Sequence, residues 1–109
     1  MFGFGKRKRI KEVTPGELAG LLRAGTVEVI DVREPGEFAA GHIPGARNVP
    51  LSSFDVARLA CAEGKTVILN CALGGRSAQA LDICAGEASD THLAGGFTAW
   101  VRAGLPVER

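Results

Sequence analysis

No stretch of this 109-residue chain approaches the run of about 18 apolar residues that a membrane-spanning helix needs. The basic start, Met1 to Lys11, has no apolar segment behind it and does not read as a secretory signal. Phe2 stands where N-myristoylation requires glycine. Cysteine is scarce and odd in number: Cys61, Cys71 and Cys84 contain no Cys-x-x-Cys pair, and the two histidines stand at no ligand spacing. A disulfide framework is thereby excluded, and a zinc site is not expected. Free thiols without a signal imply a reducing, cytoplasmic setting. Internal repeats and low-complexity segments are also missing.

A hydrophobic content of 46% over this length suits one domain with its own core. The 15 glycines, about twice the usual share, imply many tight turns. The net charge of +1 hides an asymmetry: Lys6, Arg7, Lys8, Arg9 and Lys11 precede every acidic residue, leaving 8 basic and 12 acidic residues in the body. Such an arm can touch acidic membrane, nucleic acid or a partner. The plainer reading is a solvated tail, with neither nucleic acid nor a membrane span implied. The expected division is a flexible basic arm over 1–11 and a domain over 12–109.

Thr14-Pro15-Gly16-Glu17 reads as a helix start, with Thr14 as N-cap, Pro15 in the first turn and Glu17 closing a capping box. Leu18, Leu21 and Leu22 share a face, and Gly25 stops the helix. Val27 to Val32 reads as a strand, Pro35 to Ala40 as a short helix, and Gly41 to Gly45 as a turn-rich link. A short extended piece comes next over Asn48 to Leu51, then a helix over Phe54 to Ala62 capped by Ser52 or Ser53 and ended by Gly64. Lys65 to Asn70 is the most apolar strand and reads as central. A helix over Ser77 to Ala85, a strand over Thr91 to Leu93, a Gly95-Gly96 turn and a helix over Phe97 to Ala103 complete the pattern. Strands alternating with helices argue for an α/β fold with a mostly parallel sheet.

The chemistry points to Cys71-Ala72-Leu73-Gly74-Gly75-Arg76-Ser77, between the central strand and the next helix. A thiol there meets backbone N–H groups, a helix N-terminus and a guanidinium, all of which favour thiolate. Gly74 and Gly75 can take the backbone angles that turn N–H groups inward as an anion-binding nest, and Ser77 can cap the helix. Cysteine phosphatases cradle phosphate in a Cys-x5-Arg loop. Here Arg76 comes one residue early, and the tighter ring favours a smaller guest, such as a sulfur atom added to Cys71.

Four stretches together resemble the single-domain rhodanese family of sulfurtransferases. They are Ile30-Asp31-Val32-Arg33-Glu34-Pro35-Gly36-Glu37-Phe38, Gly41-His42-Ile43-Pro44-Gly45-Ala46-Arg47-Asn48-Val49-Pro50, the Cys71 loop, and Leu93-Ala94-Gly95-Gly96-Phe97-Thr98-Ala99-Trp100 with Gly104-Leu105-Pro106-Val107. The resemblance implies a five-stranded, mostly parallel sheet flanked by helices on both faces. It implies that Cys71 takes a sulfane sulfur from a donor such as thiosulfate or a persulfide and passes it to a thiol or cyanide. Ala72, Leu73, Gly74, Gly75, Arg76 and Ser77 would bind substrate, with the N–H groups of Ala72 to Arg76 on the persulfide and Arg76 on an anionic donor. Neither metal nor organic cofactor is implied. The partners would be a small sulfur donor and a thiol acceptor, or a sulfur-relay protein.

Ala72 and Leu73 depart from the basic or polar residues common after the cysteine in that family, which points to a persulfide or docked partner over thiosulfate. The competing functions are a carrier or partner-binding module with little turnover, and a phosphatase or arsenate reductase on the same fold. Asp31 and Arg33 read as structural, His42 as a turn histidine bonded to backbone, His92 as no catalyst, and Arg47 as surface or ion-paired. Cys61 reads as packing, and Trp100 as packing the last helix on the sheet. A disulfide between Cys84 and Cys71 is a minor alternative.

Overall fold

The structure is a computed structural model that describes residues 10–60, 64–85 and 87–109. Strand β1 is Lys11–Val13, helix α1 Pro15–Ala24, strand β2 Val27–Asp31, helix α2 Pro35–Ala40 and strand β3 Arg47–Asn48. Strand β4 is Thr66–Asn70, helix α3 Gly75–Cys84, strand β5 Thr91–Leu93 and helix α4 Gly96–Arg102. Among the described residues five strands form one sheet in the order β1-β5-β4-β2-β3, and their pairings are parallel. β4 is central, and three of its five residues are apolar and buried. α/β architecture and strand centrality thus agree with the sequence pattern, with the sheet wholly parallel.

Side-chain alternation divides the core. Ile30, Val32, Val67, Leu69 and Cys71 face a cluster with Ala80, Leu81 and Cys84 of α3. Val27, Val29, Ile68 and Leu93 face the opposite cluster with Leu18 and Ala19 of α1 and Trp100 of α4. The two-residue period of the strand therefore puts the Cys71 side chain on the α3 side of the sheet. Trp100 is buried where the last helix meets the sheet, and its indole N–H donates to the Pro106 carbonyl at 2.7 Å.

The α1 start forms as its sequence dictates. The Thr14 hydroxyl accepts the Glu17 N–H at 3.1 Å, and the Glu17 carboxylate accepts the Thr14 N–H at 2.9 Å. Elsewhere tertiary bonds override local pattern. The expected helix over 54–62 is replaced, within its described residues, by 3-10 turns at Leu51–Ser53 and Val56–Leu59. Neither Ser52 nor Ser53 caps a helix. The Leu51 N–H donates to the Val32 carbonyl at 3.0 Å and the Ser52 hydroxyl to Glu34 at 2.6 Å, which ties this segment to the end of β2. Asp55 caps the second turn instead, accepting the Ala57 N–H at 3.0 Å. Cys61 lies outside the described residues.

The extended piece expected over Asn48 to Leu51 begins at Arg47, and Leu51 already belongs to a 3-10 turn. β1 has no counterpart in the sequence pattern. It is a short edge strand, and Ile10 and Lys11, counted with the basic arm, belong to the fold. Ile10 packs on the core, and Lys11 pairs with Asp90 at 3.3 Å. Met1 to Arg9 lie outside the described residues. No helix among the described residues is long and apolar enough to cross a membrane.

Candidate active site

β4 ends at Asn70, and the chain turns at once into α3. Gly74 is the N-cap, in a left-handed conformation at φ 115°, and the helix begins at Gly75. Only Gly74 uses the freedom read into both glycines, since Gly75 is an ordinary helical residue. Ser77 is not the cap. It lies in the first helical turn, so its N–H is one of the donors that a helix start leaves without an intrahelical partner.

Those free donors converge on sulfur. Cys71 is fully buried, and its Sγ accepts the N–H groups of Gly74 at 3.1 Å and Ser77 at 3.3 Å. The Ser77 Oγ lies 3.5 Å from Sγ. Burial pushes the Cys71 thiol up, but the Ser77 hydroxyl and the N–H groups of Ser77, Gly74 and Leu73 outweigh it and bring the thiol below its ordinary value. Cys84 has burial without such donors, and its thiol is pushed up. Both are free thiols.

The loop is held from beneath by the Gly95-Gly96 turn. The Phe97 N–H donates to the Cys71 carbonyl at 2.7 Å and the Thr98 N–H to the Ala72 carbonyl at 3.0 Å. A Cβ on Gly96 would stand 2.5 Å from the Cys71 oxygen and 2.6 Å from the Ala72 oxygen. Gly96 is thus the site of closest approach between the last helix and the cysteine loop.

Arg76 reaches the rim already engaged. Its guanidinium grips Glu37 of α2 with bonds of 2.7 and 2.9 Å. The Arg76 bonds hold the Glu37 carboxyl down to about 2, and Glu37 in turn raises Arg76. Leu73 is 72% exposed, an apolar lip beside the sulfur.

Asp31 and Arg33 form a buried ion pair at 2.8 Å, and Arg33 also donates to the Gly41 carbonyl at 2.7 Å and stacks over Phe97. His42 is a turn histidine: Nδ1 faces the Phe38 carbonyl at 2.8 Å, and its ring stacks on Phe38. Arg47 is ion-paired with Glu28 at 3.0 Å. Sequence reasoning missed three participants. Glu37 shows in the sequence only as a helix-start carboxylate. Gly96 shows only as a turn residue. His92, given no part, stands with Nδ1 2.6 Å from Ser77 Oγ and Nε2 3.1 Å from Glu12. No local signal could have found this placement, because it depends on β5 lying between β1 and β4.

Comparison with known proteins fits this geometry. The family profile of the Rhodanese-like domain matches residues 14–103. The chain is 43% identical over 96 residues to the uncharacterised protein slr1261 of Synechocystis, covering 86% of this chain and about half, 54%, of that relative. It is 36% identical to the thiosulfate sulfurtransferase GlpE of Pseudomonas putida, covering 90% of each chain. The crystal structure of a rhodanese-related protein from Thermoplasma volcanium superposes with a TM-score of 0.78 at 28% identity, covering 90% of this chain and 97% of that one. With a matching profile over most of its length, its relatives and its sheet in agreement, the chain belongs to the Rhodanese-like domain family.

Proposed function

We propose that this protein is a sulfurtransferase that carries a sulfane sulfur on Cys71 as a persulfide. The observation that carries the reading is the ring of Gly74 N–H, Ser77 N–H and Ser77 hydroxyl around one buried sulfur. Such a ring stabilises a sulfur anion, either the thiolate or the outer sulfur of a persulfide. The similarity to a protein named a thiosulfate sulfurtransferase supports the same chemistry.

The Cys71 thiolate attacks the outer sulfur of the donor. A Cys71–sulfur bond forms, and the donor's own sulfur–sulfur bond breaks with its electron pair, releasing sulfite from thiosulfate or a thiolate from a persulfide. An acceptor thiolate or cyanide then bonds to that outer sulfur, and the pair of the Cys71–sulfur bond returns to Cys71. Two half-reactions give ping-pong kinetics. Ala72 to Ser77 form the substrate-binding loop, no metal or organic cofactor takes part, and the setting is a reducing cytoplasm.

The rim favours a weakly charged donor. Leu73 presents an apolar lip, and the Arg76 charge is shared with Glu37. A persulfide, small or borne by a relay protein, suits it better than the thiosulfate dianion. The exposed Leu73 also favours, as a second reading, a carrier that docks a partner with little turnover. Intact mass after incubation with thiosulfate or a low-molecular persulfide tests the proposal. The expected result is a gain of one sulfur atom that cyanide removes and Cys71→Ser abolishes. An absence of adduct with either donor overturns it. A higher kcat/KM for thiosulfate than for the persulfide overturns the donor preference alone.

A further inference from the structure

Behind the Ser77 hydroxyl runs a chain of polar groups, His92 and Glu12, that sulfur binding does not use. Ser77 Oγ lies 3.5 Å from Cys71 Sγ and 2.6 Å from His92 Nδ1, and His92 Nε2 lies 3.1 Å from a Glu12 carboxylate oxygen. The chain crosses three elements: α3 supplies Ser77, β5 supplies His92, and β1 supplies Glu12, which the parallel register sets directly beside His92. Cys71, Ser77 and His92 are all buried, whereas the Glu12 side chain is 59% exposed.

With the Cys71 thiol and the His92 ring both neutral, one arrangement of hydrogens satisfies this chain. An ionised carboxylate only accepts, so Nε2 of His92 carries the hydrogen facing Glu12. The neutral ring then holds its lone pair on Nδ1, and Ser77 must donate there. The hydroxyl has a single hydrogen, and its 3.1 Å contact with the Gly74 carbonyl is the longer of the two choices. Ser77 Oγ is left to accept from the Cys71 thiol. His42 shows the opposite case: its Nδ1 faces a carbonyl, so that nitrogen carries the hydrogen and cannot accept one.

We infer that His92 is the proton acceptor for the Cys71 thiol, reached through the Ser77 hydroxyl and held in the receptive tautomer by Glu12. The inference rests on the reading of Cys71 as the nucleophile. The Cys71 S–H bond breaks as its proton passes to Ser77 Oγ, and the Ser77 O–H bond breaks as that proton passes to His92 Nδ1. Serine is unchanged, and the products are a thiolate and an imidazolium. Reversing the hydrogens then lets Ser77 donate to the thiolate, with the Glu12 carboxylate balancing the imidazolium. The titratable groups facing His92 are Glu12 from β1 and Cys71 through Ser77. Lys11 and Asp90, at the same sheet edge, pair with each other.

A thiol and an imidazole coupled in this way titrate as a pair. The Cys71 thiolate absorbance, read against a Cys71→Ser background, should therefore rise in two steps with pH. His92→Asn keeps an acceptor near the Nδ1 position but cannot take a proton. It should collapse the profile to a single step, with its midpoint about one pH unit higher. Glu12→Gln, on an exposed edge strand, should move the first step upward by less. A His92→Asn protein that melts like the wild type and keeps the two-step profile overturns the relay. If His92→Asn does not fold, an unchanged profile in Glu12→Gln overturns it. The absorbance requires no sulfur transfer. A two-step wild type that takes no sulfur keeps the relay and overturns the sulfurtransferase reading, whereas a single-step wild type that takes sulfur overturns the relay alone.

Discussion

β2 and β4 lie side by side with Asp31 opposite Asn70, so their carboxyl ends meet at one edge of the sheet, yet the two ends are built differently. After β2, a carboxylate and a guanidinium are buried against each other, and Arg33 spends a further donor on the Gly41 carbonyl. After β4, donors surround a single sulfur whose ordinary state is neutral. The first end is closed: its charges satisfy one another and link the end of β2 to the chain beyond α2. The second holds an excess of donors over acceptors, and that excess favours negative charge on Cys71. Two adjacent ends of one sheet thus divide the labour between holding the fold and gathering donors around one sulfur.

Substitutions can separate these roles. The largest effect is expected at Asp31→Asn, which leaves the Arg33 guanidinium buried without its counter-charge and costs about 3–5 kcal/mol. Urea denaturation measures this loss. The Cys71 thiolate profile of the folded fraction should be unchanged, and a large change in it would mean that the two ends are not independent. Gly96→Ala should instead couple the two readouts. Its φ of 62° and the 2.5 Å approach to the Cys71 oxygen force the loop to shift, at about 1–3 kcal/mol. Here the thiolate midpoint should rise along with the loss of stability, because the donor ring moves with the Cys71 backbone.

The smallest effect is expected at the rim. The Glu37 carboxyl is held at about 2, below its value in an unfolded chain near 4.3. Its contribution is complete above the unfolded value and is lost as the pH falls towards 2. Both side chains are more than a third exposed, so solvent screening keeps the contribution below about 1 kcal/mol. Glu37→Gln should therefore lower the urea midpoint slightly at neutral pH and flatten its acid dependence. It should also free Arg76 and improve the kcat/KM for thiosulfate relative to the persulfide.

What was legible in the sequence was local. The Thr14–Glu17 capping box joins residues three apart, and the structure keeps both of its bonds. The residues that turn donors onto Cys71 lie within six positions of it, so the loop could be read as a nest before any fold was known. The helix expected over 54–62 failed for the converse reason. Val32 and Glu34, far back in the chain, claim Leu51 and Ser52 and leave Asp55 to cap only a 3-10 turn. Arg76 was legible as a charge but not as a paired one, since Glu37 is 39 residues away.

The sequence by itself determined the alternation of strands and helices, the central apolar strand and the thiol at its end. These depend on side-chain period, caps and turn residues acting over a few positions. Only the tertiary structure decided what stands around the thiol. Inserting β5 between β1 and β4 sets His92 beside both Ser77 and Glu12, and laying Gly96 against the loop fixes the Cys71 backbone. Both depend on strand order, which is set by burying two faces of one sheet at once rather than by any segment alone.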